Sequence, residues 1–147
     1  MPAIIKKTIR FTFLVFALLL ISVSGCKKEQ QAEIPNVYVN LDLDISSTLY
    51  IELNTVGGHV NLTGGYKGIT VYRESIDQFI AFERCCSYDP DVEAARVVVD
   101  TAGLSLTDPV CGSKFLILDG SVIKGPATAP LKQYRTSFDG DNLHIYN

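Results

Sequence analysis

The sequence predicts an all-β fold, an antiparallel β-sandwich or small barrel. Short runs of alternating apolar and polar residues recur along the chain, and turn signals such as Gly64-Gly65, Asp119-Gly120 and Asp139-Gly140 separate them. From residue 36 onward we find no run of ten or more residues with helical periodicity. Many short strands joined by glycine-rich turns are typical of sandwiches and small barrels.

The first strand is predicted at 37–45, where odd-numbered positions are apolar and even-numbered positions are polar or aromatic. Residues 49–53 repeat this alternation and predict a second strand, which Gly57-Gly58 ends. Further strands are predicted at 59–62, 69–73, 79–84, 96–100, 104–107, 115–118, 121–124, 134–138 and 143–146. The predicted core contains Phe79, Phe82, Phe115, Leu118, Val122, Leu131 and Phe138.

A length of 147 residues allows one ordinary domain, and the formal net charge of the chain is −3. Without residues 1–25, ten Lys and Arg face 16 Asp and Glu, a net charge of −6. No net positive field would attract phosphates, so we expect no nucleic-acid partner.

The N-terminal segment predicts export. Residues 11–24 carry no charge and follow Lys6, Lys7 and Arg10, and about 14 apolar residues are too few to span a bilayer. The following Val23-Ser24-Gly25-Cys26 resembles the bacterial lipobox. That resemblance implies a lipoprotein signal peptide over 1–25, lipid on Cys26, a polar tether over 26–35 and one domain over 36–147. An uncleaved anchor, or an ordinary signal with a chance Cys, is the alternative.

Lipidation implies a location and a first partner. We expect a bacterial cell-envelope protein, on the outer rather than the inner membrane, with its domain outside the cytoplasm. Several acyl chains would hold it firmly on the membrane, which is thus its first partner. An envelope protein, not identified by the sequence, is the second.

Two loop sequences carry a family resemblance. Residues 81–90 read AFERCCSYDP and residues 108–115 read DPVCGSKF, and Gly125-Pro126-Ala127 and Pro130-Leu131 follow in order. This succession resembles the Rieske iron–sulfur domain over about residues 36–147. The resemblance implies a Rieske-like all-β fold with two cluster-type loops, a [2Fe–2S] cofactor and electron transfer.

The four positions equivalent to Rieske ligands are Cys86, Tyr88, Asp108 and Cys111. A Rieske cluster takes two thiolates on one iron and two imidazoles on the other. Only Cys86 keeps the expected residue type, and both histidines of the chain lie outside the loops. We therefore expect no ordinary cluster and no cofactor.

The resemblance brings the two loop tips together, which implies a disulfide between Cys86 and Cys111, or Cys85 and Cys111, in place of the cluster. A zinc or unusual cluster site built from Cys85, Cys86, Asp108 and Cys111 is a second possibility. Reduced, buried thiols are a third.

These positions predict a function without catalysis. No base, nucleophile or metal triad can be placed, so we expect no enzyme activity. The expected role is a binding or assembly module on a membrane, with the two loops joined by a disulfide. The alternative is an electron-transfer module of the 2Fe–2S family with atypical ligands.

Overall fold

A computed structural model describes residues 33–147 of the chain. The predicted signal peptide, the lipid attachment at Cys26 and most of the predicted tether lie outside these residues. Within 33–147, the structure contains no helix long and apolar enough to cross a membrane.

Strands dominate the described part of the chain and form two antiparallel sheets. In chain order they are β1 (Asn40–Asp44), β2 (His59–Leu62), β3 (Ile69–Arg73), β4 (Phe79–Glu83), β5 (Val98–Val99), β6 (Ser105–Thr107), β7 (Lys114–Leu116), β8 (Val122–Lys124), β9 (Gln133–Phe138) and β10 (Asn142–Tyr146). The larger sheet has the order β1-β10-β9-β4-β3-β2, and the smaller has the order β5-β6-β7-β8. The all-β class predicted from the sequence is confirmed.

Strand β4 joins two hydrophobic cores, because all five of its residues are buried and successive side chains point to opposite faces. Phe79 and Ala81 pack into the core of the larger sheet. Ile80 and Phe82 pack into a second core with Leu106 and Phe115 of the smaller sheet and with the buried Cys86 of the loop that follows β4. The strand that leads into the first cysteine loop is thereby fixed from both sides.

The strand predicted at 49–53 is wrong, because a 3₁₀ helix occupies Thr48–Asn54. The Ser47 side chain caps this helix by accepting a hydrogen bond from the Leu49 amide. A helix carries successive side chains around its axis rather than to two faces, so only Leu53 is buried within it. Leu49 is 76% exposed.

Leu118 was expected in the core and is instead 47% exposed. Its neighbour Ile117 takes the buried position, and Leu118 points away just before the turn at Asp119-Gly120. The strand predicted at 96–100 is shorter than expected and covers only Val98–Val99. The other predicted strands are present, with ends that differ from the prediction by at most three residues.

Candidate functional site

Two loops that lead into or lie within the smaller sheet face each other. The first, residues 84–97, connects β4 to β5 and carries Cys85 and Cys86, while the second, residues 108–113, connects β6 to β7 and carries Asp108 and Cys111. In the first loop, the Cys86 amide donates to the Ala95 carbonyl at 3.2 Å. In the second, the Gly112 amide donates to the Asp108 carbonyl at 2.9 Å. These backbone bonds set the positions from which the cysteine side chains project.

The sulfur atoms of Cys86 and Cys111 lie 3.7 Å apart across the two loops. Cys86 is fully buried and Cys111 is partly exposed. Both are free thiols here, as is Cys85. A disulfide bond is about 2.0 Å long, so this pair is in contact but not bonded.

Asp108 completes a cluster of three side chains at this contact. Its buried carboxylate places Oδ2 3.2 Å from Cys111 Sγ, while Oδ1 accepts the Val110 amide at 2.8 Å. One ligand atom each from Cys86, Asp108 and Cys111 lies within 4.8 Å of the other two. Among residues 33–147, these three side chains form the group that could jointly bind one metal ion.

Ser113 ties this cluster to a third segment, residues 125–132, that connects β8 to β9. Its hydroxyl oxygen lies 3.0 Å from Cys111 Sγ and accepts the Ala127 amide at 2.9 Å. On the other side, the Ser87 hydroxyl donates to the Ala129 carbonyl at 2.6 Å. The segment therefore covers both loops through one hydrogen bond to each.

Burial controls the acidity of the thiols. It raises the pKa of Cys86, and the adjacent Asp108 carboxylate raises it further. Burial likewise raises the pKa of Cys85 to about 11, although the Lys67 ammonium opposes this. Both groups are therefore neutral thiols at pH 7 when reduced, and neither is an activated thiolate.

The structure directs Cys85 away from Cys111. Cys85 Sγ lies 3.6 Å from the Cys86 carbonyl and 3.8 Å from the Pro90 carbonyl, inside the first loop. Tyr88, the remaining position equivalent to a Rieske ligand, is 39% exposed. The structure thus brings together Cys86, Asp108 and Cys111, and leaves Cys85 and Tyr88 outside this cluster.

The donor atoms present do not fit a Rieske cluster. They are two sulfurs and a carboxylate oxygen, whereas that cluster takes two thiolates and two imidazoles. His59 lies in β2 and His144 in β10, both on the larger sheet. His144 bonds Asn40 through Nε2 at 2.6 Å, so its ring is engaged away from the loops.

Sequence reasoning missed a buried carboxylate below the first loop. Glu83 is fully buried at the end of β4, and its carboxylate accepts four hydrogen bonds. The donors are the amides of Tyr66 (2.6 Å), Lys67 (2.8 Å) and Cys85 (3.1 Å) and the hydroxyl of Tyr134 (2.7 Å). One feature of the sequence could have indicated it: Glu83 is an acidic residue at the end of the apolar run 79–82, just before the cysteine pair.

This carboxylate connects the turn 64–68, the start of the first loop and strand β9. Tyr134 reaches it because β4 pairs with β9 in a register that places Ala81 opposite Tyr134. Burial raises the pKa of the Tyr134 hydroxyl, and its hydrogen bond to Glu83 adds to the rise. The base of the first loop is thus held by charge-assisted hydrogen bonds.

No family model and no curated protein matches this chain. Among solved structures, it is similar to the cyanobacterial plasma membrane Rieske protein PetC3 from Synechocystis PCC 6803. The two chains are 24% identical, with a TM-score of 0.49, over 59% of this chain and 84% of that chain. The likeness is one of fold and says nothing of the site.

Proposed function

We propose that this chain is a lipid-anchored protein of the bacterial cell envelope whose Rieske-like domain acts without an iron–sulfur cluster. In this proposal the domain is a binding or assembly module, and a Cys86–Cys111 disulfide joins its two loops. The observation that carries the proposal is the 3.7 Å contact between these two sulfur atoms. The two sulfurs need to approach by less than 2 Å to reach bonding distance.

Forming this bond is a two-electron oxidation. Each thiol loses a proton and one electron as the S–S bond forms, and a disulfide-bearing exchange partner accepts the electrons and becomes two thiols. Compartments outside the cytoplasm keep such bonds oxidised. The proposed location outside the cytoplasm therefore supplies the disulfide-bearing oxidant that this step needs.

A binding role is supported by apolar side chains that both loops leave exposed. Val92 of the first loop is 42% exposed, and Val110 at the tip of the second is 48% exposed. Tyr88 adds an aromatic ring that is 39% exposed. Loops that expose apolar groups are frequent sites of protein contact, so the proposed partner is a protein of the envelope.

Anchoring is proposed through lipid on Cys26. Its test is the intact mass of protein purified from membranes of a bacterial host. The expected chain begins at Cys26 and carries the added mass of its acyl groups. A Cys26→Ser variant should remain unprocessed at 1–25, and a wild-type chain that retains residues 1–25 would refute the anchor without affecting the proposal for the loops.

An iron–sulfur electron-transfer module with atypical ligands is the second candidate. It is favoured by one observation, the convergence of Cys86, Asp108 and Cys111 within 4.8 Å. Iron content and visible absorption of anaerobically purified protein separate the two candidates. Iron near zero supports the cluster-free module, and about two irons per chain with charge-transfer absorption would support the second candidate instead.

A further inference from the structure

A cleft beside the first loop gathers three cationic side chains. It is lined by the glycine-rich turn 64–68 between β2 and β3 and by Lys67, Arg84 and Arg96, and its volume is about 520 Å³. No Asp or Glu of the described residues is among those that line it. The cleft is separate from the Cys86–Cys111 contact, and nothing in the proposed function uses it.

This concentration of positive charge is unusual for an acidic chain. Residues 33–147 contain eight basic side chains against fifteen acidic ones. The basic residues are Lys67, Arg73, Arg84, Arg96, Lys114, Lys124, Lys132 and Arg135. Three of the eight line this single cleft.

Arg84 is the half-buried cation of the cleft. Its Nε donates to the Val97 carbonyl at 3.3 Å, and no residue among 33–147 supplies an acceptor for its two terminal nitrogens or forms an ion pair with it. Its stem packs against Gly68, where an added Cβ would lie 3.3 Å from Arg84 Cδ. A glycine at this position gives the guanidinium room beside the turn.

The nearby acids are already engaged. Glu83 uses its carboxylate on four donors below the turn, and Glu93 forms an exposed ion pair with Arg96. Burial lowers the pKa of Arg84 and the neighbouring Arg96 lowers it further, while the Glu83 carboxylate opposes both effects. Like charges that repel across a cleft are relieved by an anion between them.

We propose that this cleft binds an oxyanion group, either a carboxylate or a phosphate or sulfate, with Arg84 as the principal ligand. A guanidinium presents paired N–H donors that match two oxygens of such a group, and partial burial makes each hydrogen bond stronger than in water. The Lys67 ammonium donates to the Val92 carbonyl, which holds it beneath the cleft. It therefore adds positive charge to the site without being the principal ligand. Arg96 lies at the rim, where it already pairs with Glu93, so it contributes less than Arg84.

The test is calorimetric titration of the full mature chain, in non-ionic detergent at constant ionic strength, with sodium acetate, sulfate and inorganic phosphate as separate probes. We expect saturable binding of at least one. Tighter binding of acetate assigns a carboxylate ligand, and tighter binding of sulfate or phosphate assigns a tetrahedral one. No saturation by any of the three up to about 50 mM would overturn the proposal.

Matched variants locate the site. Arg84→Gln should weaken binding about tenfold or more and Arg96→Gln about threefold. Arg135→Gln on β9 makes the same charge change at an exposed position and should leave affinity within about twofold. Arg84→Lys, which keeps the charge and loses the paired donors, should bind with intermediate affinity and serves where Arg84→Gln does not fold. Equal effects of Arg84 and Arg135 substitution would overturn the assignment.

Discussion

The sulfur atoms of Cys86 and Cys111 meet at 3.7 Å although 25 positions separate them in the chain. The contact joins two loops that leave different strands, β4 and β6. A carboxylate and a serine hydroxyl approach the same sulfur, Cys111 Sγ. The contact is therefore a long-range link between the two loops of the site.

Reduction should destabilise the domain through this link. Closing a loop of this length lowers the entropy of the unfolded chain, which stabilises the fold by about 3–4 kcal/mol. We expect dithiothreitol to lower the free energy of unfolding of the wild type by that amount in urea titrations. Cys111→Ser should show the lower stability without reductant and no further response to it.

Cys85→Ala is the matched control for this prediction. It removes a buried thiol from the same loop but not from the contact, so its stability should still fall on reduction. A reductant response that disappears in Cys85→Ala and persists in Cys111→Ser would mean that the bond involves Cys85 instead.

Tyr134→Phe should weaken the network around Glu83. The substitution removes one donor from a fully buried carboxylate, and hydrogen bonds to charged groups contribute about 1.5–3 kcal/mol. We expect a loss of this size in the free energy of unfolding measured by urea denaturation. Tyr38→Phe, at a site that is 79% exposed, should change stability by less than about 0.5 kcal/mol.

Gly65→Ala should be more damaging than an equivalent change elsewhere. Gly65 has φ of +62°, and an added Cβ would lie 2.5 Å from the Tyr134 hydroxyl and closer still to the Glu83 carboxylate. Gly103 has φ of +70° with nothing within 4 Å of the added Cβ. Both variants incur the cost of a positive φ, about 1 kcal/mol, and only Gly65→Ala also displaces the buried carboxylate. We expect thermal unfolding to give a lower melting temperature for Gly65→Ala than for Gly103→Ala. Equal melting temperatures for the two variants would contradict this prediction.

Stability should fall as pH rises from about 9 to about 11. In the folded chain the pKa of Cys85 is raised from 9.0 to about 11, so in this range the folded state binds more protons than the unfolded state. The free energy of unfolding therefore decreases with increasing pH. Cys85→Ala should show a shallower decrease in denaturation series at pH 8 to 11. The remaining slope reflects Tyr134, whose pKa is raised in the same direction.

The strands were predictable where one face of the sheet is buried. In the segment 37–45, the alternation places Val39, Leu43 and Ile45 in the core, as the structure has them. The same alternation at 49–53 failed, because a Ser cap and a lack of strand partners let this segment form a 3₁₀ helix. Local periodicity does not report whether a neighbouring strand is available.

The cysteine contact could be predicted only through the family resemblance, since nothing in the spacing of Cys86 and Cys111 brings two loops together. The partners of Glu83 come from residues 66, 67, 85 and 134, and their meeting depends on sheet order. The cationic cleft likewise joins a turn after β2 to the first loop. Such groupings follow from which strands pair in the sheet, and residue patterns alone do not encode this pairing.

Thiol counting tests the central claim most directly. Mature protein purified from bacterial membranes is denatured without reductant, alkylated with iodoacetamide, and mapped by mass spectrometry of its peptides. The account predicts alkylation of Cys85 alone, with Cys86 and Cys111 recovered as one disulfide-linked peptide pair. Alkylation of all three cysteines, or about two irons per chain in the same preparation, would contradict it.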